Sequence, residues 1–492
     1  MVKNFQDPIY GPIAIEDEII KIINTIQFQR LRRLKQNGNA FMVYASATHT
    51  RFEHCIGVYH LTNQLLKSLQ REVDTFISDS AQREQYVHAT LLVRIAAVCH
   101  DIGHGAFSHL FENVLERINI HISHEEIGQK IVTRLLQELN YTQNDIDTVN
   151  QLIGGEQPDQ PLFKRFAFLS QIVSNSVSSL DTDKLDYLVR DTNAVHLAIS
   201  VNAERILQNF HLFELEGIIF PCFENNVRFE VDEAFHARYA LHKQLYQHAK
   251  VVSADQNCLE ILLLASKLQL VDFQAAIDML DSQQPDWFDL YDEIDDNMVE
   301  TVHKMVKRLP VENQSIDMQN LKAAIQRYKT HSLYPSVYRA YISSEFFSMN
   351  SSQLRQNILD QINKDDVFIA VKEIHFGMKE LNPSNYLAFR HQNKVQIPKL
   401  MLQKLNLNPE TISYNKNLIK IIQTPLSSLT TPNMFREYAI FVYCKKEKNF
   451  VDRNELKELA LMSRKAISSQ LKSQINIQLN GDIEVMEQYV YE

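Results

Sequence analysis

The sequence predicts a mostly α-helical protein with a helical core, a small β-hairpin and a C-terminal α+β lobe. Through most of the chain, apolar residues recur every three or four positions, as they do in amphipathic helices. Short alternating runs typical of strands become frequent only after about residue 367. The 492 residues are 45% hydrophobic, which is enough to bury the cores of roughly two to four domains.

Three helices are predicted in the first part of the chain. Residues 16–36 carry a broad stripe of isoleucine, leucine and phenylalanine, and a second helix begins within "HTRFEHCIGVYHLTNQLL" (residues 49–66). A third, over about residues 85–99, is apolar almost all round and is therefore expected to be buried. It ends at "HDIGHGAFSHLF", where two glycines break the pattern. Further helices are predicted near residues 122–140, 143–153, 163–177, 183–191, 203–210 and 232–270.

The strand signals divide the chain into three predicted parts. "GIIFPCF" and "NVRFEV", within residues 217–231, are expected to pair as the hairpin, and "VFIAVKEIHFG", "NYLAFRH", "KVQIPK" and "EYAIFVYCKK" are predicted strands of the C-terminal lobe. We expect a catalytic core over residues 1–285, a helical extension over 286–365 and the α+β lobe over 366–492.

Composition narrows the function. A net charge of -10 argues against binding nucleic acid over the whole surface. Five scattered cysteines without a CxxC pair indicate a reducing compartment and no thiolate metal site. No signal peptide is visible, and no run approaches the ~18 apolar residues of a membrane span, so we expect a cytoplasmic protein with no membrane partner. Glycine-rich nucleotide loops are absent from the sequence, which disfavours P-loop and Rossmann chemistry.

His100 and Asp101 stand together at the end of the predicted buried helix. An ionised aspartate in such an apolar element is costly unless it is paired or binds a metal. An isolated pair of this kind is more often a neutral histidine beside a capping aspartate. That reading weakens here because His54 begins the preceding helix and Asp183 opens another polar segment, so four ligand-type side chains are available.

The segment "DTDKLDYLVRD" places Asp183, Tyr187 and Asp191 four positions apart, on one helix face. By itself, such a face is equally consistent with exposure to solvent and with the wall of a polar pocket. Lys184 lies beside that face and could reach an anion.

Two imidazoles and two carboxylates form a ligand set for Mn, Mg, Fe or Zn with positions open to water. A divalent ion lowers the pKa of a bound water molecule, which is chemistry for hydrolysis. The expected substrate has phosphate oxygens that share the metal. The residues by themselves do not decide which of the four metals is used.

The H…HD…D pattern, within "FQRLRRLKQ", "HTRFEHCIGV", "HDIGHGAFSHLFE", "DKLDYLVRD" and "LHKQLYQHAK", resembles the HD-domain deoxynucleoside triphosphate triphosphohydrolases, in their SAM-and-HD-domain branch. "FGMKELNPSNYLAF" and "EYAIFVYCKK" extend the resemblance, which runs from about residue 3 to residue 446. The pattern starts almost at residue 1, so a preceding SAM domain is not expected. The resemblance implies hydrolysis of deoxynucleoside triphosphates to deoxynucleoside and triphosphate.

The same resemblance implies a role for each matching position. The metal ligands would be His54, His100, Asp101 and Asp183. His124 would protonate the leaving 5′-oxygen, and Glu112, which stands where the family usually has aspartate, would orient it. A neighbouring carboxylate favours the imidazolium that a general acid needs. Arg51 would act as a catalytic phosphate clamp.

The implied substrate contacts surround this centre. His104, His109 and Lys184 would contact phosphates, as would Arg51 and Arg238. The sugar 3′-hydroxyl would be read by Tyr187 and Asp191, with Gln36 near the same edge. Tyr246 would pack on the sugar and exclude a 2′-hydroxyl, and His248 would lie on the base side.

The resemblance also implies a homo-oligomer, a dimer or a tetramer, with an activating nucleotide bound between subunits. Gln29 and Arg32 match that regulatory site, but Asn24 stands where an aspartate reads guanine. An amide offers a donor as well as an acceptor, so we expect regulation to differ: another nucleotide, another ligand or none. The segment "THSLYPSVY" also lacks the branch's basic pair for activator phosphates.

Two other classes stay open at this stage. One is an HD phosphohydrolase acting on a cyclic dinucleotide, an alarmone or a nucleic-acid end. The other is a non-catalytic nucleotide sensor. Tyr187, Asp191 and Tyr246 favour the deoxynucleotide, and His124 argues against an inactive site. Base preference and biological role, whether control of nucleotide pools or defence, do not follow from the sequence.

Overall fold

The computed structural model describes residues 3–309, 315–343, 351–364, 366–423, 435–445, 453–474 and 486–487. The fold is mostly α-helical, as predicted. Its α-helices are α1 (Asp17–Ile23), α2 (Ile26–Gln29), α3 (Arg51–Asp74), α4 (Ser80–Cys99), α5 (His109–Arg117), α6 (His124–Glu138), α7 (Gln143–Ile153), α8 (Pro161–Arg165), α9 (Thr182–Val195), α10 (Ala203–Gln208), α11 (Arg228–Leu241), α12 (Ala249–Lys267), α13 (Phe273–Met279), α14 (Asp289–Asp292), α15 (Met298–Arg308), α16 (Ile316–Lys329), α17 (Ser351–Ile362), α18 (Lys399–Lys404) and α19 (Arg453–Gln474).

The strands form three sheets within the described parts of the chain. They are β1 (Lys3–Asp7), β2 (Gly11–Ile15), β3 (Phe210–Leu215), β4 (Ile218–Glu224), β5 (Ser336–Ser343), β6 (Val367–His375), β7 (Phe389–His391), β8 (Lys394–Pro398), β9 (Ile419–Ile422), β10 (Arg436–Cys444) and β11 (Met486–Glu487). β1 pairs with β2, a second sheet has the order β11-β5-β10-β6, and a third has the order β3-β4-β7-β8-β9. Among the helices described, none is both long and apolar enough to cross a membrane.

The predicted hairpin exists, but one of its strands is different. "GIIFPCF" contributes β4, whose partner is the preceding strand Phe210–Leu215 and not "NVRFEV". Residues 226–231 lead into α11 instead. Their alternating apolar residues fit a strand, yet Val227 and Val231 are also four positions apart. The helix buries both and leaves Phe229 58% exposed.

Other boundaries differ for local reasons. The helix predicted over residues 16–36 is divided because Thr25 caps a new helix, α2, which passes into a 3-10 turn at Arg30–Arg33. The long helix predicted over 232–270 is interrupted by the π-helical turn His242–Tyr246. The extension predicted to be helical contains a strand, β5, which is stabilised by pairing along β10 from the C-terminal lobe.

The C-terminal sheet is buried on both faces, as its strand β10 illustrates. Ile440 and Val442 pack towards α17 and α19, while Ala439 and Phe441 pack towards the start of α12. Successive side chains of a strand point to opposite faces, so β10 reads as a continuous apolar run. The third sheet also crosses the predicted domain divisions, because β4 of the core pairs in parallel with β7.

Three helices of the large helical core position the candidate site. α4 is buried along most of its second half, as predicted, and ends at Cys99, with His100 as its C-cap. α3 packs against both α4 and α9. The contact with α9 is unusually close at Gly57, where an added Cβ would lie 2.0 Å from Asp186 Oδ1 and 2.3 Å from an Arg190 nitrogen. Glycine at this position therefore lets α9 approach α3.

Gly57→Ala is expected to destabilise the fold by about 1–3 kcal/mol, because the new methyl group overpacks the α3–α9 contact. Gly128→Ala is the matched control in another helix interior: its Cβ would meet no heavy atom closer than 3.5 Å. Alanine is a better helix former than glycine by about 1 kcal/mol, so this control should be neutral or stabilising. Urea unfolding of both variants tests the difference, and equal effects would contradict it.

Candidate active site

The four predicted metal ligands converge at one point between α3, the end of α4 and α9. His54 Nε2 lies 3.0 Å from Asp183 Oδ1, 3.1 Å from His100 Nε2 and 3.6 Å from Asp101 Oδ2. His100 Nε2 is 3.3 Å from Asp183 Oδ1. Ligand atoms about 2 Å from one ion lie about this far from each other. His54, His100 and Asp183 together could hold one divalent ion, and Asp101, 3.6 Å from each imidazole, would be the fourth ligand.

Hydrogen bonds orient both imidazoles towards that point. His54 Nδ1 donates to Asp186 Oδ2 at 2.8 Å, and His100 Nδ1 donates to the Ala97 carbonyl at 2.9 Å. A carboxylate and a carbonyl can only accept, so in each ring Nδ1 carries a proton. Both Nε2 atoms are thereby directed at the shared centre, in the arrangement usual for metal-binding histidines.

A buried chain of charges extends from His54 to the N-terminal hairpin, which is formed by β1 and β2. Asp186 accepts from Arg190 at 2.9 and 3.0 Å, and Arg190 donates to Asp7 at 2.9 Å. The sequence reasoning missed all three residues. Asp186 lies three positions after Asp183, and Arg190 lies four positions after Asp186. Helical spacing was therefore a usable signal for Asp186 and Arg190. Asp7 carried no such signal.

The charges in the cluster are strongly coupled. Burial lowers the pKa of His54, but hydrogen bonds to Asp183 and Asp186 outweigh burial and raise it to about 10. Burial raises the pKa of both neighbouring carboxyls, but other contacts hold it well below the usual range: Arg51, His100 and His104 act on Asp101, and His100 and His54 act on Asp183. The carboxylates are therefore ionised, and a metal ion must displace protons from the imidazoles to bind.

Arg51 and His104, both predicted phosphate contacts, lie against the predicted metal ligand Asp101. Arg51 donates to Asp101 Oδ2 and, at 3.0 Å, to Ser108 Oγ. His104 Nε2 lies 3.2 Å from Asp101 Oδ1. Burial and the charge of Arg51 hold the pKa of His104 well below its usual range, so this imidazole is neutral.

His124 and Glu112 form a hydrogen-bonded pair beside this cluster. Glu112 Oε1 accepts from His124 Nδ1 and also from the His124 amide at 3.0 Å. The His124 ring stacks on His104 with centroids 3.9 Å apart, and His109 Nδ1 lies 3.4 Å from Glu112. Burial raises the pKa of Glu112, but hydrogen bonds from His109 and His124 dominate and hold it far below its usual range. The longer side chain of glutamate thus reaches the histidine.

The predicted sugar-side residues form a second hydrogen-bonded group. Tyr246 donates to Asp191 Oδ2 at 2.6 Å, and His49 Nε2 donates to Asp191 Oδ1 at 2.7 Å. Arg238 donates to the hydroxyl of Tyr187. His49 was missed by sequence reasoning. It lies at the start of the very segment that carries the metal-ligand motif, but its role depends on a contact across the fold.

Lys184 and His242 lie beside this hydrogen-bonded group. Lys184 Nζ donates to Asp181 at 2.8 Å. Burial lowers the pKa of Lys184, but the charges of Asp181 and Asp183 outweigh burial and raise it. His242, one helical turn after Arg238, lies with its ring 5.0 Å from that of Tyr246. Burial and the Arg238 charge lower the pKa of His242. Sequence reasoning missed His242, although its spacing from Arg238 and Tyr246 was a signal.

The remaining predicted residues lie further out. His248 caps α12 by accepting from the Lys250 amide at 3.3 Å. The three proposed regulatory residues lie at the α1–α2 corner, where Gln29 accepts from Arg32 at 2.9 Å. Arg32 also covers the Phe52 ring at 3.5 Å, and Asn24 is exposed at the end of α1.

Several buried polar atoms of the site have no hydrogen-bond partner among the described residues. They are Gln36 Oε1, His49 Nδ1, His104 Nδ1, Arg238 Nε and His242 Nδ1. Buried polar groups are nearly always hydrogen-bonded in native proteins, to protein, water or ligand, so these atoms are available for contacts to a polar ligand. The donors and acceptors suit a ligand that carries both anionic and hydroxyl groups.

Comparison with known proteins agrees with this geometry. The HD-domain profile matches residues 51–188, which include all four predicted ligands. An HD domain-containing protein of Acanthamoeba polyphaga mimivirus is 34% identical over 272 residues, covering 53% of this chain and 58% of that protein. A deoxynucleoside triphosphate triphosphohydrolase SAMHD1 homolog of Dictyostelium discoideum is 27% identical over 458 residues, covering 91% and 78%. The deoxynucleoside triphosphate triphosphohydrolase SAMHD1 of Homo sapiens is 26% identical, covering 92% and 72%.

Asp186→Asn is expected to weaken Mn²⁺ binding about 10–100-fold, because it removes the charge that orients His54. Isothermal titration of the metal-free protein measures this directly. Asp147→Asn, at an exposed position of α7, is the control and should leave the affinity unchanged. Wild-type affinity in Asp186→Asn would show that His54 does not need the carboxylate.

Proposed function

We propose, on the premise that this chain is an HD-domain phosphohydrolase, that it hydrolyses deoxynucleoside triphosphates to a deoxynucleoside and triphosphate, and needs a divalent metal. One observation carries the proposal: His104 joins a four-ligand cluster to an acid pair, contacting Asp101 at 3.2 Å and stacking on His124 at 3.9 Å. Relatives over nine-tenths of the chain are named for this reaction.

A divalent ion held by His54, His100, Asp101 and Asp183 would polarise the phosphate and lower the pKa of a water molecule. Water oxygen bonds to the α-phosphorus and releases a proton to the solvent, and the bond from that phosphorus to the 5′-oxygen breaks. His124, whose Nδ1 is committed to Glu112, gives a proton from Nε2 to the leaving oxygen. The ionised Glu112 stabilises the protonated ring before transfer, and Arg51 stabilises negative charge on the phosphates.

The sugar would be read by the group around Asp191. His49 and Tyr246 hold this carboxylate from two sides, so it is oriented to accept from a 3′-hydroxyl. The Tyr246 ring would then lie against the sugar and exclude a 2′-hydroxyl sterically. Lys184 and Arg238 would contact the remaining phosphates, with His109 at the exposed edge.

We further propose that a nucleotide regulates the enzyme at the α1–α2 corner, in a homo-oligomer. Gln29 and Arg32 already form one hydrogen-bonded unit there. Asn24 replaces the carboxylate that would read guanine, so a base other than guanine is expected.

Chromatography of the products tests the reaction. The protein is incubated with Mn²⁺ or Mg²⁺ and each deoxynucleoside triphosphate, singly and mixed, with and without GTP. Deoxynucleoside and intact triphosphate are expected, and both should be lost in Asp101→Ala. Cleavage only in mixtures would identify an activator. Turnover of a cyclic dinucleotide or nucleic-acid end with no deoxynucleotide cleavage would overturn the assignment, as would binding without any turnover.

Glu112→Gln is expected to lower kcat about 100-fold or more, because the neutral amide no longer favours the protonated His124 ring. Glu112→Asp keeps the charge and should lose less. The control is Glu116→Gln, one turn further along α5, which should match the wild type. If Glu112→Gln and its control have the same kcat and the same dependence of kcat on pH, the role of His124 as a general acid is contradicted.

Tyr246→Ala should reduce the preference for deoxyribonucleotides over ribonucleotides at least about tenfold in kcat/KM, because the ring that excludes the 2′-hydroxyl is gone. Tyr246→Phe is the matched variant: it keeps the ring and loses only the 2.6 Å bond to Asp191. It should retain the preference while KM rises. Competition assays with paired substrates measure both ratios, and an unchanged ratio in the alanine variant would exclude the steric role.

A further inference from the structure

The loop of residues 102–108, here called the His104 loop, connects the metal ligand Asp101 to the start of α5. Two consecutive non-glycine residues in it, Phe107 and Ser108, have φ of 60°. Ser108 has ψ of -126°, far from the regions that side chains favour. Such conformations cost about 1–3 kcal/mol each and persist only where the surroundings impose them. Buried side chains from outside the loop hold its main chain in this conformation.

Asp296 is the first of them. Its Oδ1 accepts from the Phe107 amide at 2.6 Å and its Oδ2 accepts from the Lys35 amide at 2.8 Å. The side chain is 1% exposed. One carboxylate thus ties the strained end of the loop to the main chain beside Gln36.

Arg30 and Tyr291 hold the other end. Arg30, fully buried, donates to the His104 carbonyl at 2.8 Å and to the Ile294 carbonyl at 2.6 Å. Its guanidinium lies 4.5 Å from the centre of the Tyr291 ring, and the Tyr291 hydroxyl donates to the Gly103 carbonyl at 2.7 Å. Asp296, Arg30 and Tyr291 thus all form their hydrogen bonds to the loop with main-chain atoms.

Stability alone does not account for this arrangement. A buried charge is expensive to desolvate, and apolar residues of similar volume often serve a core as well or better. Here a guanidinium and a carboxylate are buried to hold a backbone that is itself strained. The loop they hold carries His104, which contacts Asp101 on one side and His124 on the other.

We infer that Asp296, Tyr291 and Arg30 are positioning residues that set the distance between the metal cluster and the His124–Glu112 pair by holding the main chain of the His104 loop. None of the three touches a predicted metal ligand through its side chain. The segment "LYDEIDDN", which the sequence distinguishes only by its acidity, therefore acts on the reaction from outside the pocket. The catalytic part of this inference rests on the proposed function.

The experiment compares Asp296→Ala and Asp296→Asn with Asp292→Ala, whose carboxylate pairs with the half-exposed Arg33. Asp296→Ala should lower kcat about 10–100-fold, since displacements of about 1 Å have effects of this size. Its Mn²⁺ affinity should stay within about twofold of the wild type, because the four ligands lie outside the loop. Asp296→Asn keeps one acceptor and should lose less. Asp292→Ala should resemble the wild type.

Hydrogen exchange of metal-free protein provides a readout that does not depend on activity. The Phe107 amide should exchange faster in Asp296→Ala but not in Asp292→Ala. If Asp296→Ala does not fold, Tyr291→Phe is the milder variant, which should lower kcat and expose the Gly103–His104 backbone. A wild-type kcat in these variants would overturn the inference. So would a loss of kcat that is accompanied by an equal loss of Mn²⁺ affinity.

The same design separates this inference from the proposed function. If the wild type cleaves no deoxynucleotide, the proposed function fails, and hydrogen exchange still decides whether Asp296 holds the loop. Unchanged exchange at Phe107 would then overturn the positioning role as well.

Discussion

The buried chain of charges from Asp7 through Arg190 and Asp186 to His54 is the interaction on which the candidate site depends. It joins the N-terminal hairpin to α9 and α9 to α3, and it ends on an imidazole directed at the metal position. Removing one member of a buried ionic network leaves a charge unpaired, which costs about 3–5 kcal/mol. The chemistry of the site and the packing of the core are therefore maintained by the same contacts.

A second constraint couples the predicted metal cluster to the His124–Glu112 pair. The predicted metal ligands lie on or next to the long helices α3, α4 and α9, whereas the His124–Glu112 pair comes from α5 and α6. The intervening loop passes so close to α6 that a Cβ on Gly103 would lie 2.1 Å from the His124 carbonyl. Glycine, a strained backbone and buried polar anchors together place His124 beside the cluster. Backbone strain is thus concentrated at the candidate site.

The sequence was informative where spacing and residue type carry the signal. The H…HD…D pattern and helical periodicity predicted α3, α4 and α9 and picked out four candidate ligand side chains that lie close together in the structure. The strand partner of β4 could not be identified, because the apolar residues of 226–231 fit a strand and a helix equally over so short a window. Asp7 and Asp296 could not be found either. Their partners lie far away in the chain, 183 positions from Asp7 to Arg190 and 189 from Phe107 to Asp296, so only the fold reveals them.

Hydrolysis in water enriched with heavy oxygen tests the central claim most directly. With a deoxynucleoside triphosphate as substrate, mass spectrometry of the products shows which atom the water attacks. The account predicts label in the released triphosphate, none in the deoxynucleoside, and no labelled product in Asp101→Ala. Label in the 5′-hydroxyl, or release of pyrophosphate or single phosphate in place of triphosphate, would contradict attack at the α-phosphorus with His124 protonating the 5′-oxygen.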